Sequence, residues 1–265
     1  MFIDVERIIS NKNPKLLKVI PGFVIRYLKK IVHQDDINKF ISKNGHKKGI
    51  EFAHAILDEY RVTFTTKGLD NVPNKGRFIF ASNHPLGGVD GIALILSVSE
   101  KYKAIKFPVN DILMNIKGLD NIFIPINKHG SNSKESAKQM VEAYSSNEQI
   151  LMFPAGLVSR KKKGKIVDLE WKNNFIKKSI TYKRDIIPVH ITGRNTNFFY
   201  NLANFRKLLR IKTNIEMLYL ADEFYKQCGN NLEISFGKPI SWEEVSKEKD
   251  KNKSADRIKK IVYQL

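Results

Sequence analysis

The order of short β-type runs and helical stretches along this chain predicts an α/β fold with a mixed, largely parallel central sheet flanked by helices and a helical N-terminal extension. Three observations predict it. From residue 61 onward, strand-like runs alternate with helical patterns. The first 60 residues are helical, basic and without a convincing strand. A 42% hydrophobic content over 265 residues suffices for one large α/β core. The expected organisation is therefore a basic amphipathic extension over 1–60 and an α/β domain over 61–265.

In the extension, Leu16, Val19, Phe23, Tyr27 and Ile31 lie among Lys15, Lys18, Arg26, Lys29 and Lys30, and Pro21 kinks or splits the segment. A helical hairpin packed on the core and a basic element lying in a bilayer interface both fit this pattern. They are compatible if one face packs and the other meets lipid. Next, residues 61–66 (RVTFTT) alternate by twos, and 78–81 (FIFA) suit a short buried strand. Further strands are expected at 104–109, 121–126, 149–153 and 185–191. A late one at 232–236 is closed by Gly237 and Pro239. Asn132 with Glu135 three residues on marks a helix start, and Ser241 with Glu244 forms a capping-box pattern opening the C-terminal helix. The lysine-rich 247–260 reads as a solvated helix face.

Charge narrows the partners. Forty-six Lys and Arg against 27 Asp and Glu give a formal net charge of +19, which favours nucleic acid, an anionic bilayer or an acidic protein. Cys228 is the only cysteine, so neither an intrachain disulfide nor a thiolate metal cluster forms, and a reducing compartment fits. The first six residues lack the basic-then-apolar order of a signal peptide. The longest apolar run, at 92–96, falls far short of the roughly 20 residues of a spanning helix. Membrane contact is thus expected to be interfacial, and the protein cytoplasmic.

The segment richest in chemistry is Asn83-His84-Pro85-Leu86-Gly87-Gly88-Val89-Asp90-Gly91, placed between a strand and a helix. A turn there can bring Asp90 back beside His84, six positions on. A carboxylate on one imidazole nitrogen fixes the tautomer and raises the basicity of the other. Gly87 and Gly88 allow close approach of a substrate, and their N–H groups near a helix N-terminus suit a developing oxyanion. A structural turn with His84 satisfying a backbone group fits the spacing too, which leaves both readings open.

This block resembles the first motif of the lysophospholipid (glycerol-phosphate type) acyltransferase family. The other motifs follow in order: residues 118–128 ending in Asn127 and Lys128, then Phe153-Pro154-Ala155-Gly156 with Ser159-Arg160, then Ile187-Pro188-Val189-His190-Ile191. Residues 236–240 (FGKPI) supply a late element. Two departures stand out. Five residues rather than four separate His84 from Asp90, and Ala155 replaces a Glu associated with the acceptor site in the family. The form is similar to a bacterial, hemolysin-like subgroup that includes O-acyltransferases of ornithine- and glycine-type aminolipids.

The resemblance implies transfer of a fatty acyl group from acyl-carrier protein or acyl-CoA to the hydroxyl of a lyso-lipid, a lyso-glycine or lyso-ornithine lipid ahead of lysophosphatidic acid. It implies His84 as general base, Asp90 as its partner, and Asn83, Gly87 and Gly88 as the substrate loop. Lys128, Ser159 and Arg160 are the expected acceptor-anion contacts, Arg160 because its planar fork binds such groups bidentately. No cofactor is expected, and the enzyme is placed peripherally on the inner face of the cell membrane. Lys161, Lys162, Lys163 and Lys165 suit an electrostatic patch for a carrier protein or headgroups. Residues 197–211, with Phe198, Phe205, Leu208 and Leu209 beside Arg206, Lys207 and Arg210, fit a second membrane element or a core helix. A 1-acylglycerol-3-phosphate acyltransferase and, from another class, a basic nucleic-acid-binding protein are the alternatives. The latter lacks zinc-finger, helix-turn-helix or RRM signatures. A hydrolase would use the same His and Asp. No metal-ligand spacing, G-x-S-x-G elbow or phosphate loop is present, and His190 reads as a strand residue near the site.

Overall fold

The computed structural model describes residues 3–126 and 133–265. Five helices come first: α1 (Val5–Lys12), α2 (Pro14–Val19), α3 (Gly22–Ile31), α4 (Gln34–Asn44) and α5 (Gly49–Glu59). Pro14 opens α2 at its first turn, where a missing N–H costs nothing, and Pro21 separates α2 from α3. The segment is thus more than a hairpin. Its last helices join the main core through Phe40, Phe52, Ile56 and Leu57, whereas no residue of α2 is buried.

Seven strands form the central sheet in the order β1 (Thr63–Lys67), β9 (Asn231–Phe236), β8 (Asp185–Ile191), β2 (Phe78–Ser82), β5 (Gln149–Met152), β3 (Ile105–Val109) and β4 (Phe123–Pro125). β8, β2, β5, β3 and β4 run parallel. β9 and β1 are parallel to each other and antiparallel to the rest, through the β8–β9 pairing. Buried on both faces, β2 sends Phe78 and Phe80 into one core layer and Ile79 and Ala81 into the other.

Helices α6 (Val89–Ser99), α7 (Ser133–Ser145), α8 (Asn174–Tyr182), α9 (Asn197–Leu208), α10 (Leu220–Tyr225), α11 (Trp242–Lys247) and α12 (Lys251–Val262) complete the chain. α6 is buried along its whole length, which explains why its sequence is almost wholly apolar apart from Asp90, Ser97 and Ser99. The expected C-terminal helix is two. Ser241 caps α11 by accepting the Glu243 N–H at 3.1 Å, but Glu244 pairs with Arg257 instead of reaching back, so no reciprocal box forms. Asn132 lies outside the described residues. A two-stranded hairpin, β6 (Arg160–Lys162) with β7 (Lys165–Val167), occupies the stretch expected to be only a charged patch.

Candidate active site

Because β8, β2 and β5 are parallel neighbours, their C-terminal ends converge at the middle of the sheet, where α/β folds place ligands. The block after β2 carries His84, and the block after β5 carries Phe153. The turn between His84 and Asp90 closes: His84 Nδ1 lies 2.9 Å from Asp90 Oδ2. Gly87 makes that turn at φ +90°, and a Cβ there would come within 2.7 Å of Leu220 and 2.9 Å of Val158.

Asp90 is fully buried and accepts backbone N–H groups from Leu86 at 2.8 Å, Gly87 at 3.2 Å and Gly91 at 2.9 Å. Burial pushes its carboxyl up, but the His84 attraction and these hydrogen bonds outweigh it and hold the group below the usual carboxylate range. An ionised Asp90 only accepts, so the proton sits on Nδ1 and Nε2 keeps its lone pair. The imidazole stacks on Phe153, with ring centroids 3.8 Å apart and planes 13° from parallel. The arrangement is a partly buried imidazole, oriented on two sides, whose Nε2 has no hydrogen-bond partner among the described residues.

Other expected site residues land differently. The Asn83 amide is not open to substrate: Nδ2 donates to Ile191 O at 2.9 Å and Oδ1 accepts the Ile191 N–H at 2.7 Å, stitching the β2 end to β8. The Gly87 N–H serves Asp90 and is unavailable to an oxyanion. The Gly88 N–H has no partner among the described residues and remains a candidate donor. Arg160 is corrected from acceptor anchor to internal tie. It is buried, with Nη2 2.7 Å from Glu216 Oε1, Nη1 on the Val158 and Ser159 carbonyls, and its guanidinium over the Phe199 ring. Arg206 Nε approaches the other Glu216 oxygen at 2.9 Å, which makes a buried Arg–Glu–Arg cluster. A fork so engaged presents no pair of open donors to a headgroup. Ser159 is likewise buried, its N–H donating to His84 O at 2.7 Å. Lys128 lies outside the described residues.

In the third block, Pro154 and Ala155 are buried and Gly156 turns at φ +66°. Beside the His84 loop a cavity of about 250 Å³ is lined by Asn83, Pro85, Ser159, His190, Gly193 and Tyr263, among others. His190 is thus close to the site, as its strand position suggested. Burial lowers its imidazole from the ordinary value, partly offset by Asp168 and Glu233. A larger hollow, about 310 Å³, lies around Lys103, Ala104 and Ile105 at the opposite end of β3, away from this chemistry. Sequence reasoning missed Asp168, Trp171, Glu216 and Tyr263. Asp168 meets His84 across 84 positions and Glu216 meets Arg160 across 56, while Trp171 and Tyr263 join the site through Asp168, and no local pattern marks them.

A family model described as Acyltransferase matches residues 7–265. A lyso-glycine lipid O-acyltransferase of Bacteroides thetaiotaomicron is 48% identical over 99% of this chain and 97% of its own. Another protein of that name, from Phocaeicola vulgatus, is 46% identical over 99% of this chain and 95% of its own. The crystal structure of the 1-acyl-sn-glycerophosphate acyltransferase of Thermotoga maritima superposes with a TM-score of 0.50 at 14% identity, covering 91% of this chain and 92% of that one, a likeness of fold alone.

Proposed function

The chain belongs to the acyltransferase family and is an enzyme, and from that premise we propose that it esterifies the free hydroxyl of a lyso-lipid, a lyso-glycine lipid before others, with a fatty acyl group. The acceptor reading is carried by one observation: near-half identity over essentially the whole chain to two enzymes named for that substrate. Ala155, where the family's third motif usually has a Glu associated with the acceptor site, speaks against 1-acylglycerol-3-phosphate as acceptor.

The proposed chemistry follows from the imidazole. His84 Nε2 takes the hydroxyl proton as that oxygen attacks the thioester carbonyl of acyl-carrier protein or acyl-CoA. Asp90 stabilises the imidazolium that forms. The carbon–oxygen bond forms first. The tetrahedral species is held by N–H donors such as that of Gly88, then loses the carbon–sulfur bond, and the thiolate recovers the proton from Nε2.

For location, no helix among the described residues is long and apolar enough to cross a membrane. We infer peripheral attachment to an anionic bilayer, supported by exposed Val19, Phe23, Phe205 and Leu208 beside exposed Lys18, Arg26, Lys207 and Arg210.

The test is acyl transfer from labelled acyl-carrier protein and from acyl-CoA into lyso-glycine lipid, lyso-ornithine lipid, lysophosphatidic acid and glycerol-3-phosphate. Diacyl glycine lipid is the expected main product, reduced by about 10²-fold or more in His84→Ala. A preference for lysophosphatidic acid moves the acceptor to the phospholipid alternative. Retained activity in His84→Ala removes the general-base assignment.

A further inference from the structure

Asp168, on the loop after β7, is a buried carboxylate at 1% exposure with no ion-pair partner among the described residues. Such a group costs stability unless donors surround it. Three do. The His84 backbone N–H donates to Oδ1 at 3.2 Å, the Ser159 hydroxyl to the same oxygen at 2.5 Å, and the Trp171 indole N–H to Oδ2 at 2.8 Å. The loop itself is fastened to α12: the Asp168 N–H donates to Tyr263 Oη at 2.7 Å, and Lys259 Nζ donates to the Asp168 carbonyl at 2.9 Å.

The consequence falls on His84. Its backbone N–H is held by Asp168 and its carbonyl by the Ser159 N–H at 2.7 Å, while Ser159 is itself held by Asp168. Both polar groups of the residue bearing the imidazole are therefore fixed from the far side of the chain, independently of the Asp90 contact to the ring. We propose that Asp168 is a positioning residue for the acyl-transfer base: it fixes the His84 backbone so that the ring meets both Asp90 and the acceptor hydroxyl. This rests on the reading of His84 as the base. The side chain must be a carboxylate, because three donors approach from two sides. Asparagine has one acceptor oxygen and turns an N–H₂ toward either Trp171 or the pair of His84 and Ser159.

The test uses the full chain with Asp168→Asn, Trp171→Phe, the double variant and His84→Ala, each shown folded by circular dichroism at the assay temperature. Asp168→Asn is expected to lower kcat by roughly 30–100-fold with acceptor KM within about twofold, the signature of a misplaced group rather than lost binding. Trp171→Phe alone strips Asp168 Oδ2 of its indole donor and sets the baseline against which the double variant is read. It removes the clashing donor, so the double variant recovers to within about tenfold of that baseline. If Asp168→Asn does not fold, the double variant is measured against Trp171→Phe, and a deficit of about threefold or more in kcat supports the assignment. A folded Asp168→Asn with wild-type kcat, a loss confined to KM, or a loss unmoved by Trp171→Phe overturns it. An inactive His84→Ala beside an unimpaired Asp168→Asn sinks only this proposal, whereas an active His84→Ala sinks the base assignment beneath it.

Discussion

Asp90 has no exposure to solvent and yet stays ionised, because four N–H donors surround it. Asp90→Asn keeps the shape but removes the negative charge beside His84, and either orientation of its amide turns an N–H₂ toward a group that donates, so the proposed base loses its partner. The expected outcome is a fall in kcat of about 10²–10⁴-fold with little change in acceptor KM, checked by steady-state kinetics. The pH dependence of stability follows from the same contacts. A carboxyl held below its ordinary value of about 3.9 stabilises the fold fully above that pH and loses its contribution as pH falls through the folded-state value. The variant's stability should therefore depend less on pH below about 4, as read by denaturant titration. At this scale the sequence was legible where partners are close. His84 and Asp90 are six positions apart, and one Gly-rich turn joins them. Arg160 was misread because its partner Glu216 lies 56 positions away, and Asp168 was missed because it meets His84 across 84.

Among the elements, strands with apolar alternation were legible to within a residue or two, and 185–191 coincides with β8. The β6–β7 hairpin was not, because its strands are rich in lysine and its turn, Lys163 at φ +48° and Gly164 at φ +79°, lacks the usual Asn-Gly signal. Charge concealed the pattern. A second long-range device joins α7 to the sheet. Buried Arg184 donates to the carbonyls of Ala143, Tyr144, Ser146 and Glu148 at 2.6–3.0 Å, closing the C-terminal end of α7. Burial and nearby Arg77 lower its guanidinium to about 10, so it stays charged at neutral pH. Arg184→Met strips four carbonyls, two of them buried, of their donor and is expected to cost about 3 kcal/mol or more. In a chain of this size that is roughly a 10 °C fall in Tm by calorimetry, with acceptor KM unchanged in the folded fraction.

Across the whole molecule, three segments distant in sequence meet on one surface. Tyr27 of α3 shares a 2.7 Å hydrogen bond with Tyr219, and Tyr219 packs edge-on against Phe198 of α9 with centroids 4.9 Å apart. These contacts bring α3, with exposed Phe23, and α9, with exposed Phe205 and Leu208, against the same 215–219 segment, where Leu218 is also exposed. The sequence showed two separate candidates for lipid contact, and only the fold makes them neighbours. It also resolves α9, whose Phe199, Tyr200 and Ala203 enter the core while Phe205 and Leu208 face out. Exposed cations lie on the same stretch of chain: Lys207 and Arg210 flank the exposed Leu208 and Leu209. Apolar side chains set among lysines and arginines match an anionic bilayer, with roughly 1 kcal/mol from each basic residue near the surface. Binding to vesicles containing an anionic lipid should therefore weaken as salt rises, and Phe205→Asp with Leu208→Asp should reduce it by about tenfold or more. Both positions are exposed, so the fold and acyl transfer to a short-chain, water-soluble acceptor should stay within twofold of wild type, a split that vesicle sedimentation and kinetics read together. Undiminished sedimentation of the double variant would remove α9 from the proposed membrane-binding surface.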